Sequence, residues 1–191
     1  MSVAKKLNQE YTYGDYARWP NDERWELIEG VPYAMTAPSR IHQDVVLKVG
    51  VQIELYMQGK PCKVYLAPFD VRLPRKDEAD EDVETVVQPD IVVVCDKLKL
   101  DKKGCRGAPD WVIEVLSPST TFKDMNTKRS LYETHGIREY WLVHPEDRWL
   151  MAYTLDTEGR YGKPAVFNMD EPSPVTLFPD LGIDWTFMLE I

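Results

Sequence analysis

The sequence predicts an α+β (α/β) chain, a mixed β-sheet with long helices packed on it, and three observations predict it. The runs "VVQPDIVVVCD" and "APDWVIEVLSPS" are rich in β-branched residues and apolar on both faces, as strands covered from both sides must be. From Ser39 to Gln58 the apolar residues Ile41, Val45, Val49, Ile53 and Tyr56 recur at steps of three or four, the stripe of one long amphipathic helix. A length of 191 residues, with no internal repeat, low-complexity tract or visible linker, suits one domain over 1–191 with its core at about residues 25–145.

The elements follow in order. Thr12 is placed to cap a short helix through Arg18 that Pro20 ends. "WELIEGVPYAM" alternates around Gly30 and reads as a hairpin with Glu29-Gly30 near its turn. The long helix comes next, and Gly59 stops it. "CKVYLAPFDVRL" reads as a strand made irregular at Pro68, with Asp70 capping or turning it. After an acidic loop come the two β-branched strands. "STTFKDMNTKRSLYETHG" then has helical spacing at Phe122, Met125, Arg129 and Tyr132, opens on hydroxyl residues and finishes at Gly136. Ser117, Ser119 and Thr120 suit capping better than nucleophilic chemistry, because no histidine lies at motif spacing to activate them. "EYWLVHP" is a further strand, and "WLMAYTLD", "GRYGKPAVFN" and "SPVTLFPDLGIDW" make a β-rich C-terminal tail.

With 43% hydrophobic and 29% charged residues, the chain reads as soluble and globular. No apolar run approaches the roughly 18 residues that a membrane-spanning helix needs. "MSVAKKLNQEYTYG" has no apolar stretch behind its lysines, so no secretory signal is expected and the cytoplasm is the expected location. Cys62, Cys95 and Cys105 are odd in number and lack CxxC spacing, which predicts free thiols in a reducing compartment and neither a disulfide framework nor a zinc site.

The net charge of −9 argues against nonspecific affinity for nucleic acid, but it hides a pattern. Residues 75–84, "RKDEADEDVE", carry six acids against two bases and read as a solvated loop. Residues 97–106, "KLKLDKKGCR", carry five bases against one acid. Lys97, Lys99, Lys102, Lys103 and Arg106 form either a solubilising loop or a phosphate-contacting face.

Two acids sit where acids are expensive. Asp90 heads the apolar run "QPDIVVV", and Glu114 lies inside "WVIEVL" with Val112 and Leu116 on its own face. A lone buried acid finds backbone amides or an arginine. A pair on neighbouring strands can instead share a divalent cation, and Asp90, Glu114, a backbone carbonyl such as that of Val115, and waters form the oxygen set that Mg²⁺ accepts. Such a site serves phosphodiester hydrolysis, with a nearby lysine stabilising developing charge.

"QPD", "xEVLSPST", a following helix with a lysine and "GIREYWLVHP", together with "WELIEG", "PSRIHQ" and "FDVRL", resemble the Uma-two type of restriction endonuclease family, a branch of the PD-(D/E)xK nuclease-like superfamily. The resemblance implies a restriction-endonuclease-like core, a mixed central sheet flanked by helices, with a Mg²⁺-dependent site (Mn²⁺ as substitute) that cleaves DNA. Asp90 matches the aspartate of "PD" and Glu114 the acid of the (D/E)xK element, but Leu116 stands where the lysine is expected. Lys128, on the next helix, takes the lysine's matching position, with Lys123 a second candidate. Glu26 matches the acid of "ELIxG" and His42 the histidine opening the long helix; either is a further metal ligand or an orienting residue. After Gly30 the family often has an acid, and here stands Val31, with Glu29 a neighbour of unsettled role.

Two functions from different classes follow. One is a metal-dependent DNA endonuclease, expected to be a homodimer because cutting both strands favours two-fold symmetry. The other is a noncatalytic nuclease-fold binding or regulatory module, also homodimeric, suggested by the acidic charge and by Val31.

Overall fold

A computed structural model describes residues 10–20 and 23–190, so most of the amino-terminal stretch read above for a secretory signal lies outside the described residues. In chain order the elements are α1 (Tyr13–Tyr16), the hairpin β1 (Trp25–Ile28) and β2 (Val31–Ala34), and α2 (Arg40–Met57). Then come β3 (Lys63–Leu66), β4 (Val71–Arg72), β5 (Val86–Val87), β6 (Ile91–Val94), β7 (Leu100–Asp101), β8 (Gly104–Arg106) and β9 (Trp111–Val115). A π-helical turn, Lys123–Lys128, runs into α3 (Arg129–His135). The chain closes with β10 (Glu139–His144), β11 (Trp149–Thr154), β12 (Ala165–Asn168), β13 (Ser173–Pro174) and β14 (Gly182–Ile183).

The fold is α+β with mixed sheets, as expected, but the described residues form two six-stranded sheets rather than one. One has the order β12-β11-β10-β9-β6-β3, with β9 and β10 parallel at its centre and its other pairs antiparallel. The other has the order β2-β1-β5-β4-β8-β7, parallel only between β4 and β8. β13 and β14 form a separate small pair.

Strand alternation sets the layering. Ile91, Val93, Trp111, Ile113, Val115, Trp141 and Val143 face one way and pack against Val45, Val49, Ile53 and Met57 of α2. Val92, Val94, Val112, Leu116, Tyr140 and Leu142 face the other way, toward Ile28, Val71, Val87 and Cys105 of the second sheet and Leu131 and Tyr132 of α3. Both faces of β6 and β9 are therefore covered, which is why the strands are apolar throughout. The cover differs from the expected pair of helical layers, being a helix on one side and a sheet with a short helix on the other.

Several boundaries also differ. "CKVYLAPFDVRL" is two strands in two sheets, divided at the cis Ala67–Pro68 bond, and "VVQPDIVVVCD" divides likewise at Pro89. A proline has no N–H to give to a ladder, so the chain leaves one sheet there and enters the other. The first helix stops at Tyr16, short of Arg18, with Asp15 accepting from Thr12 N at 3.1 Å. The helix expected over "STTFKDMNTKRSLYETHG" contains a π turn at Lys123–Lys128, and Phe122 is 79% exposed rather than inward-facing. Cys62 and Cys95 are joined in a disulfide, which corrects the expectation of three free thiols; only Cys105 is free. Their pairing follows from register, because β3 pairs β6 with Lys63 opposite Val94, which puts Cys62 opposite Cys95.

The hairpin turn is as read. Glu29 and Gly30 both have positive φ, 49° and 75°, the combination that a two-residue type I′ turn requires. Ser39 caps α2, its hydroxyl accepting from His42 N at 3.2 Å, and Gly136 ends α3 in the left-handed region.

Candidate active site

Asp90 and Glu114 meet because of β-sheet register. Ile91 lies opposite Ile113, so one further step puts Asp90, just before β6, opposite Glu114 on β9. Asp90 Oδ2 accepts from Val115 N at 2.8 Å and lies 3.1 Å from His42 Nε2 at the start of α2. The buried His42 Nδ1 has no partner among the described residues. An Nε2–H directed at Asp90 fits this arrangement, since Nδ1 is then an unprotonated acceptor.

Glu114 points toward α3. Its Oε1 accepts from Lys128 Nζ at 2.8 Å and from Tyr132 OH at 2.7 Å. Lys128 Nζ also lies 2.7 Å from Glu26 Oε1 and 3.8 Å from Asp124 Oδ1, and Lys123 Nζ donates to Glu26 Oε2 at 2.6 Å. The π turn makes this sharing possible, because i→i+5 hydrogen bonding stacks residues five apart, whereas an α-helix would turn Lys123 and Lys128 to different faces. Glu26 is fixed from its own sheet as well, accepting from Gln88 N at 3.0 Å.

The electrostatics divide the acids. Burial pushes Glu26 up, but the Lys128 and Lys123 ammoniums outweigh burial and hold it down at about 2. Burial raises Glu114 to about 8, against the pull of Lys128 and with the charges of Asp124, Asp90 and Glu26 adding to the rise. Asp124 is raised chiefly by burial. Burial would lower Lys128, yet Glu114, Glu26 and Asp124 together hold it well above its ordinary value, so it is an ammonium at any working pH.

All of these groups line one pocket of about 260 Å³. Among the described residues no three or more His, Cys, Asp and Glu side chains are gathered as a metal cage. The pocket offers a cation the pair Asp90 and Glu114, each carboxylate with one oxygen that takes no hydrogen bond among the described residues, and the backbone of Val115 beside them. An all-oxygen set of two acids and a peptide fits a hard cation that keeps several waters.

The residues singled out in the sequence are thus treated unequally by the fold. Asp90, Glu114, Val115, Lys128, Glu26, His42 and Lys123 come together in the pocket. Lys97, Lys99, Lys102, Lys103 and Arg106 line no part of it. Lys103 and Arg106 lie 3.1 and 3.5 Å from Asp80, and Lys99 Nζ donates to Ala108 O, so the basic segment partly neutralises the acidic loop. Glu29 is exposed and pairs with Arg75, away from the pocket. Asp124, not singled out in the sequence, is buried beside Lys128. Asp70 accepts from Tyr16 OH and Gln88 Nε2 instead of capping a strand. Gln88 and Arg24 were missed; only the Gln preceding "PD" hinted at them.

Comparison with known proteins bears on family and fold. The family model Uma2, described as "Putative restriction endonuclease", matches residues 13–186. The chain is 25% identical over 148 residues to the uncharacterized protein slr1290 of Synechocystis sp., covering 76% of this chain and 74% of that one. A crystal structure described as a "putative nuclease belonging to DUF820" from Anabaena variabilis superposes with a TM-score of 0.73 at 20% identity, over 94% of this chain and 97% of that one. At that identity the likeness is one of fold.

Proposed function

The chain belongs to the Uma2 family, and from that premise we propose that it is a metal-dependent endonuclease hydrolysing DNA phosphodiester bonds at the pocket of Asp90, Glu114 and Lys128. One observation carries the reading: a single buried ammonium, Lys128 Nζ, is shared by Glu114 and Glu26 beside Asp90. Carboxylates and a lysine from widely separated segments seldom converge in a pocket without a chemical task.

Asp90, Glu114 and the Val115 carbonyl would hold Mg²⁺, or Mn²⁺ in its place. When bound, the cation supplies Lewis-acid polarisation of the phosphodiester. The chain's own residues do the rest. Val115 N and His42 fix Asp90 in orientation. Lys128 keeps its proton and presents positive charge to the phosphate as negative charge develops. Glu26, itself steadied by Lys123 of the π turn, holds Lys128 in place from the second sheet. Lys97, Lys99, Lys102, Lys103 and Arg106 are proposed outlying contacts to the DNA backbone, and Lys97 and Lys102 have no ion pair among the described residues. A homodimer completes the proposal, since a two-fold pair presents one pocket to each strand; the cytoplasmic setting proposed with it rests on the sequence reading alone.

The test is cleavage of labelled duplex and supercoiled plasmid with Mg²⁺ or Mn²⁺ by the parent and by Asp90→Asn, Glu114→Gln and Lys128→Ala, beside titration of Mn²⁺ into each. Cleavage by the parent that needs the cation and falls by about 10²-fold or more in each variant is expected. Cleavage undiminished in Asp90→Asn or Glu114→Gln sinks the assignment. Duplex binding without cleavage under any divalent cation would favour the noncatalytic module.

A further inference from the structure

The pocket contains a positive charge that no acid answers among the described residues. Of the cations lining it, Lys128 is held by Glu26 and Glu114, and Lys123 by Glu26. Arg24, just before β1, lines the same pocket and meets no carboxylate among the described residues. It is nevertheless fixed in orientation. Its Nε and Nη2 donate to Gln88 Oε1 at 3.1 and 2.8 Å.

Gln88 is itself immobilised. It is buried, its Nε2 donates to Tyr16 OH at 3.0 Å and to Asp70 Oδ1 at 2.8 Å, and its backbone N donates to Glu26 Oε1 at 3.0 Å. The neutral amide therefore does for Arg24 what an acid does elsewhere in the pocket, but without cancelling its charge. A guanidinium is a planar fork of five N–H donors, and this grip takes only the Nε side. The Nη1/Nη2 edge remains, and it matches two oxygens of a phosphate in a bidentate contact.

The rest of the pocket needs such a group. Lys123 and Lys128 are both engaged by Glu26, and Asp90 adds a further carboxylate, so a bound cation or an unneutralised arginine is needed to draw in an anionic backbone. We infer that Arg24 binds a phosphate group of the substrate backbone and that Gln88 is its positioning residue. The identity of the ligand as a nucleic-acid phosphodiester rests on the nuclease reading; the fork itself would equally take free phosphate.

Two probes in metal-free buffer with chelator separate the claims. The first is a fluorescently labelled duplex oligonucleotide, its binding measured across a salt series. The second is inorganic phosphate, its effect on the thermal midpoint measured against chloride at matched ionic strength. Arg24→Ala is expected to weaken duplex binding by about tenfold or more and to make the log–log salt slope shallower by about 0.9, while Arg24→Lys restores the slope with only part of the affinity. A thermal midpoint within the parent's range in Arg24→Lys guards against misfolding of the alanine variant.

Parent-like affinity and slope in Arg24→Ala would overturn the inference and leave the nuclease reading standing. A parent that binds no duplex but gains an Arg24-dependent stabilisation from phosphate keeps the anion site and overturns the nucleic-acid backbone as its ligand, while the cleavage assay with divalent cation decides the nuclease reading. A parent that responds to neither probe overturns the inference.

Discussion

Lys128 is a fully buried ammonium whose neighbours are Glu114, Glu26 and Asp124, so its removal strands buried negative charge. Lys128→Met is expected to destabilise the protein by about 3–5 kcal/mol in urea denaturation. Adding Glu114→Gln to it should recover part of that loss, and strictly additive losses would contradict the shared-charge account. The acids also predict a pH dependence. Glu114 is raised from 4.5 to about 8, so the folded state holds a proton that the unfolded state gives up. Its contribution is complete below about 4.5 and is lost as pH rises through about 8. Glu26 behaves oppositely, with a contribution present above 4.5 and lost as pH falls toward about 2. Thermal midpoints measured in chelator should fall between pH 6 and 9 in the parent and fall less in Glu114→Gln. Equal slopes in the two proteins would remove Glu114 as the titrating group.

Among the elements, β3 and β6 show how pairing creates what spacing hides. Cys62 and Cys95 are 33 residues apart and become cross-strand neighbours only through the antiparallel register. Closing a loop of that length stabilises by about 3–4 kcal/mol in the chain-entropy model. Denaturation with and without reductant should differ by roughly that amount. Thiol titration of the denatured, unreduced chain should find Cys105 alone; three reactive thiols would refute the bond. The π turn teaches the same lesson in a helix. A reader assuming α-helical periodicity turns Lys123 away from Lys128, yet both reach Glu26.

For the molecule as a whole, the apolar core extends past the expected boundary near residue 145. Leu150, Ala152, Val175, Leu181, Ile183 and Trp185 belong to the same cluster as Val45, Val49 and Ile53 of α2. Trp185 is 1% exposed and its Nε1 donates to Ser173 Oγ at 2.9 Å. Trp185→Ala should therefore cost about 3–5 kcal/mol in chemical denaturation, as a core aromatic does. A cost below about 1 kcal/mol would show the tail to be an appendage.

The sequence by itself determined the period of α2, the Glu29-Gly30 turn, the doubly covered strands and the unusual cost of Asp90 and Glu114 within them. These properties are local, since side-chain alternation, helical spacing and turn chemistry are written in consecutive residues. Only the tertiary structure decided that Pro68 and Pro89 send the chain between two sheets, that Cys62 meets Cys95, that Asp124 is buried, and that Gln88 steadies Arg24. Each of these depends on strand register or on the crossing of layers, where contact is made between residues whose separation along the chain carries no periodic signal.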